Sequence, residues 1–339
     1  MKKIFPLAPE TWITLFLILL VLAVLVSLGF GRVAIPFTTV LKILASPLLP
    51  LEPDWSATAY SVVMDVRLPR VLAGVLVGAA LSISGASFQG VFQNPLVSPH
   101  ILGVAAGAGF GAALAILLFD NLLMIHLTSF LFGLSSVGMT YALSRVYKTT
   151  PILMLVLSGI VVGSLFSALT SFLKYIADPM NKMPAIVFWL LGSLNHVSAR
   201  DLWITAPIFA GCILCLLMVR WQINLLAMGE EDATSLGVNT ERLKTLIIVA
   251  ATIATASAVC ISGIIGWIGI MIPHIGRLIV GPDHKYLLPI STLIGAAYLV
   301  TVDTIARTAL VTEIPIGILT AIFGAPVFAL LLRKTQRAG

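Results

Sequence analysis

The chain reads as an all-α, polytopic membrane protein of about ten transmembrane helices. Of its 339 residues, 59% are hydrophobic and 10% charged, at a mean hydropathy of +1.08, whereas soluble domains carry about 25% charged residues. The apolar runs are long and continuous. Backbone groups in hydrocarbon must be bonded within the chain, so a span is a helix or a closed-barrel strand. Barrel strands would alternate over about ten residues, and these runs do not. Their length is that of a bilayer-crossing helix, about twenty residues.

The predicted spans, in order, are 12–30, 68–90, 100–119, 124–145, 152–176, 202–220, 243–262, 264–280, 287–309 and 315–333. Lys2 and Lys3 precede the first, but its apolar stretch outruns a signal-peptide core and no A-x-A site follows, so it reads as an uncleaved helix. An even number of spans places both termini on one side. With the N-terminus inside, twelve of the 20 Lys and Arg residues fall on inner segments and eight on outer ones, a bias of the sign the positive-inside rule requires. The net charge of +6 fits the same rule and anionic headgroups; no clustered basic face for nucleic acid is present. Residues 31–66, with Pro36, Pro47, Pro50 and Pro53, read as a long outer linker, and 184–191 as a short outer helix before the chain re-enters. No domain boundary is visible, and 1–339 reads as one transmembrane domain.

Small residues mark helix contacts. Gly74/Gly78, Gly103/Gly107/Gly111 and Gly159/Gly163 have the spacing that lets helix backbones approach in lipid. Cys212 and Cys215 sit in an apolar run and read as packing residues rather than a redox pair. The five histidines are dispersed without metal-ligand spacing; His274, after Pro273, is the exception worth following. No phosphate-binding loop, zinc-protease or nucleophile-elbow motif occurs. Asn94-Pro95-Leu96-Val97-Ser98-Pro99 and Thr149-Thr150-Pro151 interrupt helices at the inner side, as tight turns or as constrictions of a path. Arg67, Arg70 and Arg307 stand near the outer side, either snorkelling or presenting guanidinium groups to a carboxylate-bearing partner. Gly229-Glu230-Glu231-Asp232-Ala233, followed by Leu236-Gly237, places three adjacent carboxylates between two apolar segments. Charges cost several kcal/mol each in hydrocarbon (about 2.5–3.5 by insertion scales), so this run lies in water at a membrane face, poised for a soluble partner.

These pieces resemble the FecCD-type permease subunits of bacterial ABC importers for iron–siderophore, haem and vitamin B12. The resemblance rests on Arg67-Leu68-Pro69-Arg70, Gly78-Ala79-Ala80-Leu81-Ser82, Gln93-Asn94-Pro95-Leu96, Phe188-Trp189-Leu190-Leu191-Gly192-Ser193, the acidic run, Gly269-Ile270-Met271-Ile272-Pro273-His274, Gly281-Pro282-Asp283-His284-Lys285 and Glu313-Ile314-Pro315-Ile316-Gly317, in family order across nearly the whole chain. It implies a multi-pass subunit of the bacterial inner membrane, both termini cytoplasmic, with no catalytic site and no metal or cofactor of its own. A second permease copy would pair with it, most simply as a homodimer. Two copies of an ABC ATPase would dock inside, binding ATP and Mg, and a periplasmic substrate-binding protein outside. Residues 229–239 match the family's cytoplasmic coupling segment, with Gly229, Glu230, Glu231, Asp232, Ala233, Leu236 and Gly237 contacting the ATPase. Arg67, Arg70 and Arg307 match the binding-protein contacts; Asn94, Leu96, Thr149 and Thr150 match the inner gate. Iron–siderophore complexes lead among expected cargoes by frequency in the family, with haem, cobalamin and molybdate-type oxyanions open. The alternative is a secondary transporter driven by an ion gradient, which needs an ionisable group at membrane depth; Asp303 is its main candidate.

Overall fold

The computed structural model describes residues 7–50, 52–119, 121–145 and 151–336. Ten helices correspond to the ten predicted spans: α1 (Pro9–Gly29), α4 (Leu68–Val91), α5 (Val104–Leu118), α6 (Leu122–Ser144), α7 (Ile152–Ile176), α9 (Ala199–Met218), α12 (Thr240–Ser262), α13 (Ile268–Val280), α14 (His284–Thr308) and α15 (Ile316–Gln336). Seven are long and apolar enough to cross a membrane, α5 and α13 are shorter apolar helices, and α15 is apolar over Ile316–Leu330. Between them lie α2 (Phe37–Ala45), α3 (Ala57–Ser61), α8 (Lys182–Leu190), α10 (Arg220–Met228) and α11 (Glu230–Ser235). The outer linker is thus more ordered than expected: α2 buries Val40 and Ile43 against α1 and α4, and a π turn, Val62–Arg67, leads from α3 into α4. The short outer helix covers Lys182–Leu190 rather than 184–191.

Helices α4 and α12 form the interior. The most apolar stretch of α4 is 83% buried, against 11% for α1, whose Leu15, Leu17, Ile18, Leu22 and Val26 face outward. Such an all-round apolar helix suits lipid. Composition explains the division: α4 and α12 are rich in Ala, Ser and Gly, which permit backbone contact on several sides. On α4, a Cβ at Gly78 would strike the carbonyl of Gly295 on the antiparallel α14, and one at Gly85 the carbonyl of Gly269 on α13. On α5, Gly107 and Gly111 lie against the Phe132 and Thr128 carbonyls of α6.

Two predicted spans start late because the chain before them is irregular. Residues 92–103 turn back into the bundle before α5 begins at Gly103, whose φ is +86°. Three of their carbonyls are met by side chains of neighbouring helices. Ser136 and Thr140 of α6 donate to Gly103 O and Leu102 O at 3.0 Å each, and Gln89 Nε2 donates to Val97 O and Gly269 O at 3.2 and 3.3 Å. Residues 263–267 likewise separate α12 from α13. Irregular backbone at membrane depth is tolerated only where protein or water covers it.

A buried charge network closes the end of the bundle remote from α11. Arg70 donates to both Asp303 oxygens through Nε at 3.0 Å and again through Nη2 at 2.9 Å, and reaches Glu313 at 3.0–3.1 Å. Arg307 pairs with Asp303 and donates to Ser27 O and Oγ. Arg67 caps the end of α1, donating to Leu28 O, Gly29 O and Val33 O at 2.8, 3.1 and 2.5 Å. All three guanidinium residues and Asp303 are buried. Removing one member of a buried pair leaves the other uncompensated, at a cost of about 3–5 kcal/mol, whereas replacing both by apolar groups is far cheaper. Asp303→Leu should therefore lower the melting temperature in detergent markedly, and Arg70→Met with Asp303→Leu should recover part of the loss. A double variant no more stable than Asp303→Leu alone would show that the pair is not the unit of stability.

Candidate functional site

The acidic run folds as predicted into a short, sharply bounded element. α10 ends at Gly229, which adopts φ +135° and opens α11. Three acids in the first turn, Glu230, Glu231 and Asp232, face the partial positive charge of the helix N-terminus. Gly237, at φ +84°, ends the helix: Val238 N bonds Ala233 O at 3.1 Å and Gly237 N bonds Thr234 O at 2.9 Å, a Schellman closure that needs a residue free to turn left-handed. Asn239 then caps α12, accepting from Arg242 N. Ala233 is fully buried and anchors α11 to the core beneath it, while Glu231, Asp232, Leu236 and Gly237 are exposed. Glu231 and Asp232 have no ion-pair partner among the described residues. The result is a rigid acidic knob with one exposed leucine.

Glu230 differs from its neighbours. Its carboxylate accepts from Lys244 Nζ at 3.0 Å, and Lys244 also donates to Glu241 at 2.7 Å. Lys244 is buried on α12. Reading along the sequence missed this clamp, although a lysine three residues after Glu241, at the entry of an apolar run, is the spacing of a helical ion pair.

The expected inner-gate residues are only partly described, since Thr149 and Thr150 lie outside the described residues. Asn94 and Leu96 are exposed in the loop after α4, where Asn94 Oδ1 accepts from Leu96 N at 2.9 Å. That loop is attached to the knob's support: Gln93 Nε2 donates to Leu226 O of α10 at 2.8 Å. Asn224 of α10 in turn donates to Asp283 and accepts from His284 N at 2.7 and 2.8 Å. Loop, α10 and the start of α14 thus form one hydrogen-bonded unit at the α11 end.

At the opposite end the expectation of outward-pointing guanidinium groups needs correction. Arg67, Arg70 and Arg307 are turned inward and bonded to backbone carbonyls, Asp303 and Glu313, because a guanidinium at the edge of hydrocarbon is cheapest when its donors are used within the chain. Beside them a cavity of about 640 Å³ opens between α6, α8 and the start of α15, lined by apolar Phe119, Phe188 and Trp189 and by polar Asn121, His126 and His196, with Glu313 at its rim. His274, singled out by sequence, is buried against Phe328 with neither ring nitrogen bonded among the described residues. Among the described residues no group of three or more His, Cys, Asp or Glu side chains could hold a metal ion.

Comparison with known proteins agrees with this arrangement. Residues 19–334 match the FecCD transport family. The chain is 41% identical to the molybdate import system permease protein MolB of Haemophilus influenzae, over 95% of both chains. It is 35% identical to the hemin transport system permease protein HmuU of Yersinia pestis, over 98% of both. A solved structure described as an inward-facing conformation of a putative metal-chelate type ABC transporter superposes with a TM-score of 0.86 at 39% identity, covering 96% of this chain and all of the other. The chain belongs to the FecCD transport family and is the membrane permease subunit of an ABC importer, in which a separate subunit hydrolyses ATP.

Proposed function

We propose that the protein carries a metal-bearing anion or chelate across a bacterial inner membrane, with both termini cytoplasmic, as one of two identical permease copies. The α11 knob of each copy is its contact with an ATPase subunit, two of which dock on the pair. The observation that carries this reading is the exposure of Glu231, Asp232 and Leu236 on a rigid, capped element, complementary to a basic, apolar cleft. Charge reversal at exposed positions leaves the fold intact. Glu231→Lys with Asp232→Lys should lower ATPase copurification about tenfold, or ~1.4 kcal/mol, at unchanged membrane insertion. Undiminished copurification would reject the assignment.

A molybdate-type oxyanion is the first cargo reading, supported by full-length similarity to a molybdate permease. An iron–siderophore complex is the second, favoured by the 640 Å³ outer cavity with its aromatic lining. That volume lies in the range of organic-ligand sites, about 300–1,000 Å³, and exceeds what a lone tetrahedral anion fills. Proteoliposomes holding the permease, its ATPase and its binding protein distinguish them: labelled molybdate, ferric siderophore and haem are offered in turn with ATP inside. Molybdate uptake is the expected outcome, and ferric-siderophore uptake alone would reverse the order. An ion gradient without ATP should drive none of them. Gradient-driven coupling through Asp303 has no support, since Arg70 and Arg307 already hold that carboxylate.

The binding protein would dock over the charge network. Glu313, at the rim, occupies the outer edge of Arg70, so an acidic side chain of the binding protein reaching Arg70 must displace it. Arg307 shares Asp303 with Arg70, and Arg67 is held beside them by the carbonyls closing α1. Glu313→Gln then removes the competitor and should tighten binding-protein affinity about fivefold, or ~1 kcal/mol; weaker or unchanged affinity in a pull-down would exclude exchange at this site.

A further inference from the structure

We propose that α12 is a connecting rod between the ATPase face and the outer mouth, and that Lys244 is the pin holding its inner end to the coupling knob. The proposal rests on the reading of α11 as the ATPase contact and adds the route by which movement there reaches the far side.

The inner attachment is ionic. Lys244 is buried, bonded to Glu241 on its own helix and to Glu230 on α11. The only other described side chain of α11 set into the protein is Ala233, and a methyl group resists sliding poorly. A lysine held between two carboxylates resists it in every direction, because moving away exposes a buried charge without a partner.

The outer attachment is made of backbone. α12 runs for 23 residues, about 34 Å at helical rise. At its far end Ser262 O accepts from Ser193 N at 2.8 Å, directly after α8. Gly263, at φ +67°, lies against the Trp189 carbonyl of α8, and Gly192, at φ +78°, against the Ile264 carbonyl. The first residues of α15 join the same knot: Ile316 N and Gly317 N donate to Gly192 O and Leu191 O at 2.9 and 3.0 Å. No side chain cushions these contacts, so a shift of α12 along its axis carries the end of α8 with it. α8 walls the outer cavity. The remaining sides of α12 face α4, α5, α6 and α9 through small residues, Ala250, Ala251, Ala254, Ser257 and Ala258, and through Leu243, Ile247 and Ile248 in the core, and Ser84 of α4 donates to Ala251 O at 3.3 Å, so α12 moves with the helices it packs on. Coupling needs an element that both sites bias, and α12, a continuous helix fastened to α11 at one end and to α8 and α15 at the other, spans the distance between them.

The test uses the complete complex in proteoliposomes and reads the ratio of ATP hydrolysis with the binding protein to hydrolysis without it. Lys244→Met should keep ATPase copurification and unstimulated hydrolysis within twofold, while the stimulated ratio falls at least fivefold. Lys244→Arg, which keeps the charge and its partners, should restore it. A wild-type ratio in Lys244→Met overturns the proposal, and so does Lys244→Arg as impaired as Lys244→Met, since packing alone would then explain the loss. If Lys244→Met does not accumulate, hydrogen exchange on the wild-type complex decides: a non-hydrolysable ATP analogue should change protection of residues 228–238, 189–193 and 262–267 together, and a change confined to 228–238 sinks the rod. Failure of the underlying reading looks different, as persistence of ATPase copurification in the Glu231→Lys, Asp232→Lys variant.

Discussion

Hydrocarbon offers no water to a broken backbone, and that single constraint organises the molecule. Wherever a helix stops inside the bundle, its freed groups are met by other parts of the chain. The turn before α5 is held by Ser136, Thr140 and Gln89. The ends of α8 and α12 and the beginning of α15 bond one another directly. These meetings demand backbone-to-backbone distance, which is why glycines cluster there and on α4, where Gly78 and Gly85 touch the carbonyls of α14 and α13. The irregular segments so created sit at both ends of the bundle, where a carrier must open and close.

Charge follows the same economy. At one end Arg67, Arg70 and Arg307 are consumed by Asp303, Glu313 and the carbonyls closing α1. At the other, Lys244 is consumed by Glu230 and Glu241. Against this background the exposed carboxylates of Glu231 and Asp232 stand out because they have no ion-pair partner among the described residues. On the proposed reading α11 is the grip for the ATPase: glycines fix its boundaries and a buried alanine fixes its seat.

The ten spans, the lipid environment and the acidic knob were legible in the sequence because each follows from local composition. About twenty apolar residues make a span, three adjacent acids must lie in water, and Gly229 and Gly237 bracket them. The late starts of α5 and α13 were not legible, since their first residues are as apolar as a helix and only neighbours reveal that they turn. The outer segment reads as a linker because its prolines punctuate it, yet α2 folds there on surfaces supplied by α1 and α4.

Residue type and spacing alone therefore determined the helices, their solvent and the places where charge occurs, since all three are set by free energies that a residue carries into any fold. The direction of each charge was decided by tertiary structure. Arg70 and Asp303 are 233 positions apart, and only the antiparallel approach of α4 and α14 makes them a buried pair. Lys244, one basic residue among many in the sequence, becomes a clamp only because α11 folds back over the first turn of α12. Electrostatic pairing depends on distance through space, a quantity that linear order does not contain.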